Sequence, residues 1–92
     1  MEILVNRCFG GYGLSDEVLE LYKSKKGITD DIYCWDIERD DPVLIESVKE
    51  VGIEKSANWM AELEIVNVPD DIEWTIEEYD GKEWIAEKHR TW

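Results

Sequence analysis

The chain has 92 residues, with 23 acidic against 10 basic side chains and a formal net charge of −13. An apolar fraction of 43 %, with five Trp, four Tyr and one Phe, excludes an acidic disordered tail, because the chain has enough large hydrophobic surface to fold. The charge also argues against a module that binds double-stranded nucleic acid, since it repels the phosphate backbone, although a local basic pocket remains allowed.

The length predicts a single compact domain over residues 1–92. A chain this short buries only about 60–65 % of its unfolded surface, so we expect partner subunits in a homo-oligomer. No long apolar stretch and no basic, apolar leader are present, which predicts a cytoplasmic protein that does not contact membranes. Without a secretory signal, Cys8 and Cys34 are expected to be reduced thiols.

The first predicted element is a strand over Glu2–Asn6, because its aliphatic run leads directly into glycines. The stretch Arg7–Ser15 has three glycines within four positions and predicts a sharp turn. A helix then begins at the N-cap Ser15, with acids in its first turn, and ends at Gly27 after several lysines.

The middle of the chain predicts a short strand over Asp31–Asp36, flanked by acids, and a second helix. That helix is capped by Asp41, has Pro42 at its first position and ends at Gly52; the connection after Gly52 can hold another helical turn. Alternating apolar residues predict a strand over Met60–Val68.

The C-terminal third predicts a β-hairpin, since Ile72, Trp74 and Ile76 alternate with polar residues before an Asp80-Gly81 type I′ turn. The predicted fold class is therefore α+β: a mostly antiparallel sheet of about four to five strands, with two helices on one face and a C-terminal hairpin.

Catalytic chemistry has little support in the sequence. His89 is the sole histidine, no Gly-x-Ser-x-Gly motif occurs, and neither cysteine has a base nearby in sequence. The paired acids lack the spacing of a calcium loop, and two cysteines with one histidine fall short of a zinc site. We therefore expect neither an enzyme nor a bound metal or cofactor.

The glycine-rich stretch is the first candidate site, because a strand, a glycine loop and a capped helix can direct backbone N–H groups at an anion. The candidate ligand-binding residues there are Asn6, Arg7, Phe9, Gly10 and Gly11. The motif is neither a dinucleotide fingerprint nor a Walker loop, so a tight structural turn is the alternative interpretation.

The second candidate site is the stretch Lys88–Trp92, where His89 and Arg90 concentrate positive charge in an acidic chain. These residues either line an anionic pocket or pair structurally with nearby acids. Asn58 is a further candidate for reading a base or ribose, against a turn-forming role. Arg39, between acids, is expected to form a local ion pair.

Three stretches resemble a family of small phage and prophage proteins: ILVNRCFGGYGLS, ERDDPVLIESVKEVG with SANWMAELEIVNVP, and DDIEWTIEEYDGKEWIAEKHRTW. This is the family that contains the first type of Thoeris anti-defence protein. Its members are usually longer between the first helix and the RDDP segment, where this chain has GITDDIYCWDIE, so a pocket wall is expected to be reshaped or missing.

The resemblance implies a non-catalytic sponge in the cytoplasm of the infected bacterial host. Such a protein binds a small phosphorylated nucleotide, a cyclic ADP-ribose isomer or a cyclic oligonucleotide, and assembles into oligomers with pockets near subunit contacts. The alternative from composition is an acidic interaction protein that mimics nucleic acid or blocks a basic host surface.

Overall fold

A computed structural model describes residues 1–87 and contains three α-helices and four strands in that range. In chain order the elements are β1 (Glu2–Asn6), α1 (Asp16–Lys26), a 3-10 helix (Cys34–Asp36), α2 (Pro42–Val51), α3 (Ile53–Ser56), β2 (Leu63–Asn67), β3 (Trp74–Tyr79) and β4 (Lys82–Glu87). The predicted α+β class and C-terminal hairpin are confirmed. Within the described range, none of the helices combines the length and apolarity needed to cross a membrane.

The strands form two separate antiparallel pairs, β1 with β2 and β3 with β4, instead of the expected single sheet of four to five strands. The free edge of β1 shows why. Leu4 N donates to the Arg39 carbonyl at 2.9 Å, and Asn6 N donates to a Glu83 carboxylate oxygen at 2.8 Å. These contacts use the donors that a further strand would need, so the hairpin meets β1 through a side chain.

The predicted helix caps are present. Ser15 Oγ accepts from Val18 N at 3.3 Å, and Gly27 ends α1 in the left-handed region at φ 70°. Asp41 caps α2 by accepting from Val43 N at 2.8 Å. Gly52, at φ 102°, ends α2 and precedes the short α3, so the structure has one helix more than the two expected.

The predicted strand over Asp31–Asp36 is absent, and this stretch contains the 3-10 helix instead. The Asp36 carboxylate accepts from Tyr33 N at 3.0 Å, which closes a tight turn. The Tyr33 and Trp35 rings stack on one another, with centroids 4.7 Å apart, and both side chains are exposed. The stretch predicted as a strand is therefore a turn that the Asp36 carboxylate caps.

The core lies between the β1–β2 pair and the helices. It is formed by Leu4, Leu14, Val18, Tyr22, Ile37, Leu44, Ile45, Val48 and Leu63. Ile3 and Val5 point to the opposite face of β1 and are also fully buried. Because β1 is covered on both faces, the loop that follows it starts from a fixed position.

Candidate ligand-binding site

The glycine loop, defined here as Arg7–Gly13, lies between the segment that precedes β2 and the turn of the C-terminal hairpin. Arg7 N donates to the Glu62 carbonyl at 2.7 Å, and a Cβ added at Gly10 would collide with the Met60 carbonyl. A Cβ added at Gly81, which has φ +93°, would lie 2.6 Å from the Phe9 carbonyl. The loop is therefore held on two sides by distant parts of the chain.

Asn6 is fully buried and its side chain connects these segments. Its Nδ2 donates to the Cys8 carbonyl at 2.8 Å and to the Gly81 carbonyl at 2.7 Å, while its Oδ1 accepts from Glu62 N at 2.8 Å. Both amide hydrogens are therefore used within the protein. In this arrangement Asn6 positions the loop and cannot reach a ligand, which departs from the ligand contact expected from the sequence.

Arg7 lies at the entrance of the loop with its side chain 32 % exposed. Its Nε donates to the Glu64 carboxylate at 2.5 Å and its Nη1 donates to the Glu83 carbonyl at 3.1 Å. Among the described residues, these two bonds use two of the five N–H groups of the guanidinium and leave those of Nη2 available to an anion. Arg7 is thus oriented by β2 and β4 and still presents positive charge to solvent.

Beneath the loop lies an ion pair that the sequence analysis did not find. Arg39 donates from Nη1 and Nη2 to the two carboxylate oxygens of Glu83 at 2.7 and 2.8 Å, and Glu83 is only 5 % exposed. The predicted local ion pair of Arg39 is replaced by this contact across 44 positions of sequence. The sequence did contain a sign that Glu83 is buried. In the hairpin register, Glu83 lies on the same face as Ile85 and Ile76, and a charged residue on an apolar face usually has a buried partner.

The guanidinium of Arg39 also stacks on the Tyr12 ring, with its Cζ 3.3 Å from the ring centroid. The Tyr12 hydroxyl is buried and has no hydrogen-bond partner among the described residues. Burial raises the pKa of Tyr12 well above its ordinary value, and the positive charge of Arg39 opposes that rise in part. Tyr12 is therefore neutral, and its ring anchors this part of the glycine loop on the Arg39 guanidinium.

The exposed part of the loop is aromatic. Phe9 is 61 % exposed and the Lys82 ammonium lies 5.5 Å from its ring centroid. Trp59, at 92 % exposure, follows Asn58 in the neighbouring segment. Asn58 Oδ1 accepts from Met60 N at 3.1 Å, which is the turn-forming role, and its amide lies against Gly13. The structure thus brings Arg7, Phe9, Gly10, Gly11 and Asn58 to one end of the molecule.

His89 and Arg90 lie outside the described residues. The last described residue, Glu87, pairs with Trp74, whose indole N–H donates to Met1 Sδ at 3.1 Å. This places Glu87 beside the start of β1, whereas the glycine loop follows its end. β1 has five residues, so four steps of roughly 3.3 Å separate its two ends. The described chain therefore ends on the side of the protein away from the loop.

Among residues 1–87, no group of three or more His, Cys, Asp or Glu side chains is placed to hold a metal ion. Cys8 and Cys34 are free thiols, and Cys8 Sγ donates to the Met60 carbonyl at 3.0 Å. The thiol of Cys8 therefore meets a carbonyl and not a base. The chemistry that this arrangement offers is recognition: exposed aromatic rings, two cations and a fixed backbone turn.

Comparison of the chain with protein-family models, with curated protein sequences and with solved structures finds no match.

Proposed function

We propose that this protein binds and sequesters a small phosphorylated nucleotide at the exposed end of the glycine loop and does not turn it over. The ligand class is the one that the sequence resemblance implies, a cyclic ADP-ribose isomer or a cyclic oligonucleotide. In that setting the protein is a phage counter-defence sponge that acts in the cytoplasm of the infected bacterium. No metal or cofactor takes part.

One observation carries the proposal: an exposed Phe9 ring lies beside the Lys82 ammonium and two positions after Arg7, in a protein of net charge −13. Lys82 is 5.5 Å from the ring centroid, and Arg7 enters the same loop with a part-exposed guanidinium. A nucleotide needs an aromatic surface for its base and positive groups for its phosphates. Both features are present here on neighbouring residues.

The rest of the site supports this geometry. Trp59 offers a second exposed ring beside Asn58, in the segment that touches Gly10. Behind the loop, Asn6 and Glu83 hold the backbone through buried hydrogen bonds. A loop fixed before binding loses little conformational entropy when it takes a ligand. These contacts give the buried residues a positioning role and leave ligand contact to the exposed ones.

Isothermal titration calorimetry against cyclic ADP-ribose isomers and cyclic dinucleotides tests the proposal. Loss of one base–aromatic stack costs about 1–3 kcal/mol, so Phe9→Ala should weaken binding roughly 5- to 150-fold. Lys82→Ala should weaken it less and make it less dependent on salt. Lys55→Ala, a change of the same type at an exposed position on α3, is the matched control.

Sequestration without turnover predicts that the ligand is released intact when the complex is heated, as judged by mass spectrometry. Release of a chemically modified ligand would show that the protein is an enzyme. Absence of heat with every nucleotide tested would refute nucleotide binding. Equal effects of Phe9→Ala and Lys55→Ala would show that a nucleotide binds elsewhere than at the glycine loop.

We further propose that the chain forms a homo-oligomer. Trp35, Trp59 and Tyr79 are 75 %, 92 % and 71 % exposed, and large aromatic side chains on a surface are typical of contact regions. Light scattering coupled to size-exclusion chromatography should give a mass that is a multiple of the chain mass. A monomer at concentrations well above the nucleotide Kd would refute this part.

The rival hypothesis, an acidic mimic of nucleic acid, predicts unbroken rows of carboxylates along one face. On α2, Glu46 and Glu50 share the ammonium of Lys25, and on β2 Glu64 is paired with Arg7. These pairs interrupt the rows, so the geometry favours the sponge. Tight, steeply salt-dependent binding to a DNA-binding protein, without nucleotide binding, would reverse that preference.

A further inference from the structure

A groove of about 510 Å³ lies between the start of β1 and α2, away from the glycine loop. Its volume falls within the range of about 300–1,000 Å³ that is usual for binding sites. The apolar part of its lining comes from Met1, Pro42 and Ile45. The rest of the lining is charged, so the groove combines an apolar floor with an ionic rim.

The floor is held in place by the fold. Met1 Sδ accepts a hydrogen bond from the Trp74 indole at 3.1 Å, which fixes the thioether against the hairpin. Pro42 is the first residue of α2, where its ring fits the helix start, and Ile45 reaches from α2 into the core at 5 % exposure. The apolar surface therefore exists before anything binds to it.

The rim has more negative than positive charge. Four carboxylates line it: Glu2, Asp40, Glu46 and Glu50. Lys49 is 2.7 Å from the Glu2 carboxylate, and Lys25 on α1 bridges the other two α2 carboxylates at 3.0 and 2.6 Å. Asp40 has no hydrogen bond or ion pair from its side chain to any described residue. The Met1 ammonium also borders the groove but pairs with Asp70, which is not part of the lining. The two lysine ammonium groups therefore face four carboxylates, and Asp40 is the one without a counter-charge among the described residues.

We propose that this groove binds a basic peptide segment of another protein, one that carries both lysine or arginine and apolar side chains. The aliphatic part of such a peptide covers Met1 and Pro42 and contacts the small exposed edge of Ile45, while its cations reach Asp40 and the shared carboxylates of α2. The rim repels an anionic segment, and a purely apolar one would remove Asp40 from water without a partner. The mixed lining therefore selects for charge and apolar surface together.

Fluorescence anisotropy with labelled peptides tests this on the full chain. The probe peptide KLRKL should bind at least about fivefold more tightly than KGRKG, which has the same charge but lacks the leucines that cover the floor. Asp40→Asn should weaken KLRKL binding about two- to fivefold by removing the unpaired carboxylate, and Lys49→Gln should strengthen it by a similar factor.

The control is Glu20→Gln, which removes the same charge from an exposed position on α1 outside the groove. It should leave KLRKL binding nearly unchanged. Equal weakening by Asp40→Asn and Glu20→Gln would show diffuse attraction to the whole acidic protein and overturn the proposal. Equal affinity for KLRKL and KGRKG, or for spermidine, would overturn it too, because the floor would then play no part.

The groove proposal does not rest on nucleotide binding. Amide shifts in a 15N–1H spectrum should move on residues 40–50 with the peptide and on residues 7–13 with a nucleotide. Peptide-induced shifts centred on the glycine loop would exclude the groove as the peptide's site. Release of the peptide when the protein self-associates at higher concentration would show that a second copy of the chain occupies the groove instead. Failure of either ligand leaves the test of the other intact.

Discussion

The Glu83 side chain joins the hairpin to the β1–β2 pair, so its loss should destabilise the whole protein. Its carboxylate accepts from both terminal nitrogens of Arg39, at 2.7 and 2.8 Å, and from Asn6 N at 2.8 Å, while only 5 % of the residue is exposed. Glu83→Gln keeps the shape but removes the charge and turns one acceptor into a donor. The new side-chain NH2 group then faces an N–H donor of Arg39 or Asn6 without an acceptor between them.

The expected cost follows from these contacts. Removing one partner of a buried ion pair costs about 3–5 kcal/mol, because the other charge remains without compensation. Arg39 is 21 % exposed and keeps one acceptor, which lowers the expected loss to about 2–3 kcal/mol. For a chain of this size that corresponds to a fall in Tm on the order of 10–20 °C.

Urea unfolding followed by circular dichroism measures this free energy directly. Glu77→Gln, at an exposed position of β3, is the matched control and should change stability by less than about 0.5 kcal/mol. Arg39→Met should cost a similar amount to Glu83→Gln, and the double variant should lose clearly less than their sum, since both remove one interaction. A loss for Glu83→Gln no larger than that of the control would refute the reasoning.

Three other predictions concern local contacts. Tyr22 donates to the Asp41 carboxylate at 2.7 Å. Partial burial raises the pKa of Asp41, but the hydrogen bonds from Tyr22 and from Val43 N outweigh it and hold this pKa below its ordinary value. The stability that the ionised Asp41 provides is therefore present above about pH 4 and is lost at lower pH. Tyr22→Phe should therefore cost about 1–2 kcal/mol at pH 7 and flatten the loss of stability between pH 5 and 3, whereas an unchanged acid slope would contradict this assignment. Gly81→Ala should destabilise the protein more than Gly27→Ala in urea unfolding: both have positive φ, but only at Gly81 does an added Cβ meet backbone. Asn6→Ala should cost about 2–4 kcal/mol and broaden the amide signals of the glycine loop, because three hydrogen bonds of this fully buried residue's side chain are lost. Full stability of this variant would show that the loop is held by other contacts.

The sequence by itself determined the elements whose signals are local. The N-caps Ser15 and Asp41 and the C-terminal glycine of α1 lie where they were predicted. The hairpin turn at Asp80-Gly81 has φ of 53° and 93°, as a type I′ turn requires, and β1 spans the predicted range. Each of these features depends on residues within a few positions of one another, so a pattern in the sequence is enough to predict it.

Only the tertiary structure decided how these elements combine. Arg39 and Glu83 are 44 positions apart, and their contact closes the edge of β1 and separates two sheets where one was expected. Asn6 looked like a ligand contact beside glycines, yet its amide is used to join the loop to the hairpin. The glycine loop follows the end of β1, whereas Glu87, the last described residue, lies beside its start. Such outcomes depend on which distant groups satisfy buried hydrogen bonds, and no local pattern contains that information.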